Sequence, residues 1–160
     1  MSQIPPALQS MIENFLAAEQ RLQEAIACFP AERWSYPSPN EGWSYKDLLA
    51  HLATGDWICQ IFLRSLLATG RLPEWPDADA GNADRVAARR DRSVGKLAEE
   101  RTRQRRETIG LIEQLRPEHL EAPIDMPWLN VRGAPFRVYI QSFPGHDIGH
   151  TQELMEAAGN

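Results

Sequence analysis

Apolar residues return at three- and four-residue steps in four long stretches, each bounded by turn-forming sequence. The first runs from about Ala7 to Phe29, where Leu8, Met11, Ile12, Phe15, Leu16, Leu22 and Ile26 draw one stripe, the mark of an amphipathic helix. Pro30 stops it. The loop from Trp34 to Gly42 holds Pro37 and Pro39 and is too rich in breakers to be helical. Ser44 then occupies an N-cap position, and Asp47 three residues on makes a short capping box. The second helix is predicted from there to about Leu67, with an inward stripe of Leu48, His51, Leu52, Gly55, Ile58, Cys59, Phe62 and Leu66, and Gly70 closes it.

The segment from Arg71 to Gly81, with Pro73, Trp75 and Pro76, reads as a long loop or lid. Asn82 can cap a short helix over 83–90, and Ser93 starts the third long helix, which runs to about Leu115 before Pro117. Leu97, Ile109, Leu111, Ile112 and Leu115 give its apolar pattern, but Arg101 and Arg105 fall on core steps. Either the helix is exposed there, or an arginine faces a polar cleft that could receive an anionic substrate. An irregular stretch from Pro117 to Pro135 leads to the fourth helix, Phe136 to about Ala158. Pro144 within it removes a backbone hydrogen bond and predicts a kink or a break. Gly145 and Gly149 are expected to let a neighbouring helix come close. No strand pattern stands out; Phe136 to Ile140 is the best candidate. Four amphipathic helices in 160 residues predict one all-α domain, a four-helix bundle.

Composition adds exclusions. A chain of this length can bury a sizeable core unaided, so a metal would serve function rather than folding. Cys28 and Cys59 form no CxxC pair and no disulfide framework. No apolar run is long enough to span a bilayer, and the N-terminal residues carry no signal-peptide pattern, so the expected location is cytoplasmic. A net charge of −5 argues against nucleic acid as the main partner. Residues 82–106 nonetheless hold nine Lys/Arg against four Asp/Glu, read as a solvated helix face, with an anion-binding or partner surface as the alternative.

The chemistry lies with the histidines. His146 and His150 are four residues apart, which on a helix puts both on one face. Two imidazoles so placed can share a divalent ion. His51 sits on an apolar stripe, where an unpartnered imidazole is costly to bury. Three histidines with one open position form the usual arrangement of a catalytic zinc site, and a carboxylate nearby would orient a ring or act as base. Asp47, one turn before His51, and Glu153, three residues after His150, are the candidates for that role; Asp47 is also the capping residue. Asp56 and Asp147 point about 100° or more away from the ligand faces and are poorer candidates. Trp75, Arg101 and Arg105 could line a substrate cleft. Cys59 is too far along the axis from His51 to be a ligand and is expected to pack in the core. His119 has no partner in sequence and is expected to face water.

The run Gly42-Trp-Ser-Tyr-Lys-Asp-Leu-Leu-Ala-His51-Leu-Ala resembles the helix-two signature of the DinB/YfiT-like metalloenzyme superfamily, and His146-Asp-Ile-Gly-His150-Thr-Gln-Glu-Leu is similar to its last-helix motif. The resemblance spans nearly the whole chain. It implies an up-and-down variant four-helix bundle, often a homodimer, holding zinc or nickel through His51, His146 and His150. It also implies kinship with the N-terminal domain of mycothiol-dependent maleylpyruvate isomerases, and with transferases that use a low-molecular-weight thiol as cosubstrate. Two departures stand out: Pro144 precedes the ligand pair, and the chain ends just after the fourth helix. Two functions follow as expectations. One is a metal-dependent transferase or hydrolase acting on a small-molecule substrate. The other is a non-catalytic dimeric bundle for stress response or small-molecule binding, its metal structural or absent.

Overall fold

Helix α1 (Pro6–Cys28) starts with proline at its first position, where the missing N–H costs nothing, and buries Leu8, Met11, Phe15, Ala18, Leu22 and Ala25 along one face. Phe29 turns extended and Pro30 prevents continuation. The computed structural model describes residues 4–127 and 130–159. Within these, Ser44 and Asp47 close the predicted capping box at the start of α2 (Tyr45–Thr54). The expected single second helix is interrupted at Gly55, and α3 (Asp56–Thr69) follows. The cause is local. The Leu52 carbonyl accepts from the Gly55 N–H and also from Arg101 Nη1 at 2.8 Å, which draws it out of the regular ladder.

The short helix α4 (Ala78–Ala87) begins earlier than Asn82 predicted, because the Asp77 side chain accepts from the Ala80 N–H at 3.1 Å and caps it there. Gly81 then lies inside the helix for a packing reason: a Cβ would sit 2.6 Å from the Trp57 ring. Ser93 caps α5 (Val94–Ile112) as predicted. Residues 123–135 are not irregular throughout. Strands β1 (Pro123–Met126) and β2 (Val131–Pro135) pair antiparallel, with Ile124 opposite Ala134 and Met126 opposite Val131. Only Ile124 and Met126 alternate inward, too few residues for a period to show in sequence. The predicted fourth helix is present as α6 (Phe136–Gly159), and Phe136 to Ile140, the best of the strand candidates, opens it.

Helix α6 passes through Pro144 without a break. The ring forfeits the one bond to the Ile140 carbonyl, and the buried residues Tyr139, Ile140 and Phe143 before it and Asp147, Thr151 and Leu154 after it anchor the helix on both sides of the proline. Gly145 and Gly149 admit no close neighbour, since a Cβ on either would meet nothing within 4 Å. His119 does not face water. It is buried in the turn Pro117–Glu121, where Nδ1 accepts from the Arg116 N–H at 3.1 Å.

Helices α1, α2 with α3, α5 and α6 form the four limbs of the bundle; α1 packs along α6, and α5 packs against α2 and α3. The core has two apolar halves. Phe15, Phe62, Leu66, Ile112, Phe136 and Ile140 belong to one, and Leu22, Leu48, Leu52, Val86, Leu97 and Leu154 to the other. Between them along every limb comes a charged residue: Glu19 on α1, Asp56 on α3, Arg101 and Arg105 on α5, Asp147 on α6. The histidines stand beside this polar layer. No helix among the described residues is long and apolar enough to cross a membrane.

Candidate metal centre

His51 is delivered by the last turn of α2, one turn before the interruption at Gly55, and His146 and His150 by successive turns of α6. The three offer ligand atoms that all lie within 4.8 Å of one another. His51 Nε2 is 3.1 Å from His146 Nε2. Nitrogens bound at 2.0–2.1 Å to one tetrahedral ion stand about 3.3 Å apart, so this spacing fits. The other ring nitrogens are partly held. His150 Nδ1 lies 3.1 Å from Glu153 Oε2, and His146 Nδ1 lies 3.4 Å from Asp147 Oδ1. A carboxylate on the far nitrogen fixes tautomer and orientation and leaves Nε2 free for a metal.

His51 is the informative member. A histidine buried for packing alone is anchored to a carbonyl or carboxylate. This one is buried, its Nδ1 has no partner among the described residues, and its polar contact is the His146 nitrogen. Burial, with the two other imidazoles adding to it, lowers its pKa from 6.5 to about 3. Burial likewise lowers His150, against the pull of Glu153. Both rings therefore present unprotonated lone pairs at neutral pH, as a metal ligand must. The donor set, the spacing and the two carboxylate supports fit a divalent metal ion.

Below the histidines lies the polar layer. Arg101 is wholly buried and donates through Nε to Glu19 at 2.7 Å, through Nη1 to Asp56 at 3.4 Å and through Nη2 to Asp147 at 2.7 Å. Arg105 reaches Asp56 at 2.8 Å and also pairs with Asp147, and its guanidinium lies over the Phe15 ring at 4.6 Å. Burial raises the Asp147 pKa, but Arg101, the His146 hydrogen bond and Arg105 outweigh it and hold the carboxyl well below the usual range. Asp147 thus remains an anion, joining the arginine pair to a histidine.

A cavity of about 350 Å³ opens beside His51 and His146, and Gly55, Ile58, Trp75 and Phe143 are among its walls. Trp75 is therefore at the cleft, packed on Phe62 at 4.9 Å and on Tyr139 at 5.6 Å between ring centroids. Arg101 and Arg105 are not; they are enclosed in ion pairs and line none of it. Neither expectation for them, exposed face or polar cleft, describes what the fold does. Asp47 is spent on the helix start: its Oδ2 accepts from the Ser44 N–H at 3.0 Å and the Ser44 hydroxyl at 2.9 Å. Glu153 supports His150 and also accepts from Asn40 at 2.9 Å. Cys59 is buried in the apolar core, and burial pushes its thiol pKa up.

Asp147 and Asp56, the poorer candidates from sequence for support of the histidines, are the carboxylates of the polar layer. Their angle on the helices, away from the ligand face, is what sends them into the layer. A signal existed for Asp56, which stands four residues after Leu52 and three before Cys59, at a core step of a charged residue.

A helical bundle with three imidazoles converging beside a cleft defines a class of metal-binding folds. The chain belongs to the DinB superfamily, whose profile matches residues 14–154. Among solved structures it is similar to a mycothiol-dependent maleylpyruvate isomerase, with a TM-score of 0.76 at 12% identity over 96% of this chain. The chain spans 63% of the length of that enzyme. It is also similar to YfiT from Bacillus subtilis, described as a probable metal-dependent hydrolase with an unusual four-helix bundle topology. There the TM-score is 0.74 at 11% identity, covering 99% of this chain and 90% of that one. Identities this low establish the shared fold. No curated protein sequence matches the chain.

Proposed function

We propose that this protein is a metal-dependent enzyme acting on a small molecule, with one divalent ion, zinc or nickel, held by His51, His146 and His150. The observation that carries this reading is the convergence of three imidazoles, two of which, His51 and His146, lie 95 residues apart in sequence and together line a cavity. A metal serving structure alone would be enclosed, whereas His146 is 43% exposed and borders open space. Held there, a divalent ion supplies Lewis acidity sufficient to ionise water or a thiol near neutral pH. The residues of the chain do the rest. Glu153 and Asp147 orient His150 and His146, and the arginine pair keeps Asp147 charged.

The proposed reaction class is a thiol-dependent transferase or a hydrolase; the mycothiol dependence of the isomerase neighbour supports a thiol cosubstrate, and the description of YfiT as a probable metal-dependent hydrolase supports the second. A homodimer in the cytoplasm is the proposed working form. The test is elemental analysis of protein purified without an affinity tag, comparing wild type with His51→Ala and with His146→Ala/His150→Ala. About one zinc or nickel per chain, lost in both variants, is expected. Wild-type protein that holds no metal after incubation with zinc and with nickel would overturn the reading.

A further inference from the structure

The cavity has a composition that bears on what it takes in. Beyond the histidines its wall is Ile58, Trp75, Tyr139 and Phe143, with Gly55 leaving room where a side chain would intrude. Asn82 and Ser142 add the polar groups, and among the described residues no Lys, Arg, Asp or Glu lines it. The Ser142 hydroxyl already donates to the Tyr139 carbonyl at 2.8 Å, and the Asn82 side-chain oxygen accepts from Trp57 at 3.3 Å. Burial pushes the Tyr139 phenol up, so it stays neutral. Arg101 and Arg105, the buried cations nearest in the fold, pair with Asp56 and Asp147 and do not line the cavity. A negative group placed against this wall would lose its hydration and find no cation there. The aromatic rings offer the opposite. Trp75 and Tyr139 stand edge to face at 84°, with Phe143 against Tyr139 at 5.8 Å, a surface suited to another flat ring. A volume of about 350 Å³ is at the small end for ligand sites and suits one ring-bearing molecule.

We propose that the substrate is a small molecule whose body, beyond the reactive end held at His51 and His146, is uncharged and carries a planar aromatic group seated against Trp75, Tyr139 and Phe143. This rests on the metal reading above, because the reactive end is placed by the ion.

The test uses zinc-loaded protein of measured metal content and three probes that differ in their bodies: acetohydroxamic acid, benzohydroxamic acid and 4-carboxybenzohydroxamic acid, titrated calorimetrically. Burial of the ring is expected to make the benzo compound bind about tenfold tighter than the aceto compound, and the added carboxylate to abolish that gain. Trp75→Ala should bring the first two within about threefold at unchanged metal content, and Trp75→Phe should restore most of the difference. Equal binding of the aceto and benzo compounds, equal binding of the carboxylated and plain rings, or metal retained with no hydroxamate bound, overturns the substrate assignment and leaves the metal reading standing. Protein that retains no zinc overturns both, and the metal content tells the two failures apart.

Discussion

Replacing Asp147 by asparagine keeps the shape of the side chain and removes its charge from the centre of the molecule. Asp147 is fully buried and accepts from both Arg101, at 2.7 Å, and Arg105. Breaking a buried pair by removing one partner costs about 3–5 kcal/mol, because the remaining charge has no water to turn to. Asp56 still faces both guanidiniums, and an amide oxygen still accepts one bond, so the lower end, about 3 kcal/mol, applies. For a chain of this size that lowers Tm by about 6–12 °C. The assay is urea and thermal unfolding in the presence of chelator, so that metal binding does not enter. Arg105→Met and the double variant complete a cycle, with a coupling of about 1–3 kcal/mol expected. A loss below about 1 kcal/mol for Asp147→Asn, or a coupling of zero, would show that the layer contributes nothing as a unit.

Acid should weaken the metal-free protein through His51. The unfolded ring takes a proton near pH 6.5, while the folded one resists until about pH 3, so between these the unfolded state holds the extra proton. The contribution is complete above about pH 6.5 and is lost as pH falls toward 3; unfolding of wild type between pH 4 and 6 should be steeper than that of His51→Gln by about 1.4 kcal/mol per pH unit. Parallel slopes would refute the buried neutral ring. Glu153→Gln should weaken zinc binding about 10–100-fold in competition with a chromophoric chelator, with little change in Tm, since Glu153 steadies His150 from a partly exposed position. Unchanged affinity would mean that the carboxylate does not orient the ligand. Gly81→Ala should cost about 1–3 kcal/mol by driving a methyl into the Trp57 ring, which Arg85 covers at 4.3 Å and Asn82 holds by its Nε1. A Trp57→Leu background should remove most of that penalty; an equal penalty in both backgrounds would place its cause elsewhere.

The grouping of the three histidines was legible because each lay in a local pattern: an i, i+4 pair for His146 and His150, and an apolar stripe for His51. The capping box at Ser44 and Asp47 was legible for the same reason, since its bonds span three residues. What was not legible depends on partners distant in sequence. Arg101 meets Glu19, Asp56 and Asp147 from three other helices, and no window of sequence contains the set. The break at Gly55 has the same origin, because the group that takes the Leu52 carbonyl is 49 residues away. Gly81 was read as a loop residue when its reason was the Trp57 ring behind it. His119 looked unpartnered because its anchor is a backbone N–H, which every sequence contains and none displays.

The charged layer also fixes how the helices are aligned. An apolar stripe repeats at nearly every turn, so a helix can slide one turn against its neighbours and still meet carbon with carbon. Here α5 cannot. Moved by four residues one way, Arg105 takes the place of Arg101, and Arg101 arrives where Leu97 stood, among Leu48, Leu52 and Leu154. Moved the other way, Arg101 replaces Arg105, and Arg105 lands at the position of Ile109 beside the opposite apolar half. Either slide strands one guanidinium away from its carboxylates. Pairs of arginine and aspartate thus act as an index mark, and the same mark that aligns α5 sets the height at which α2 and α6 bring their histidines together.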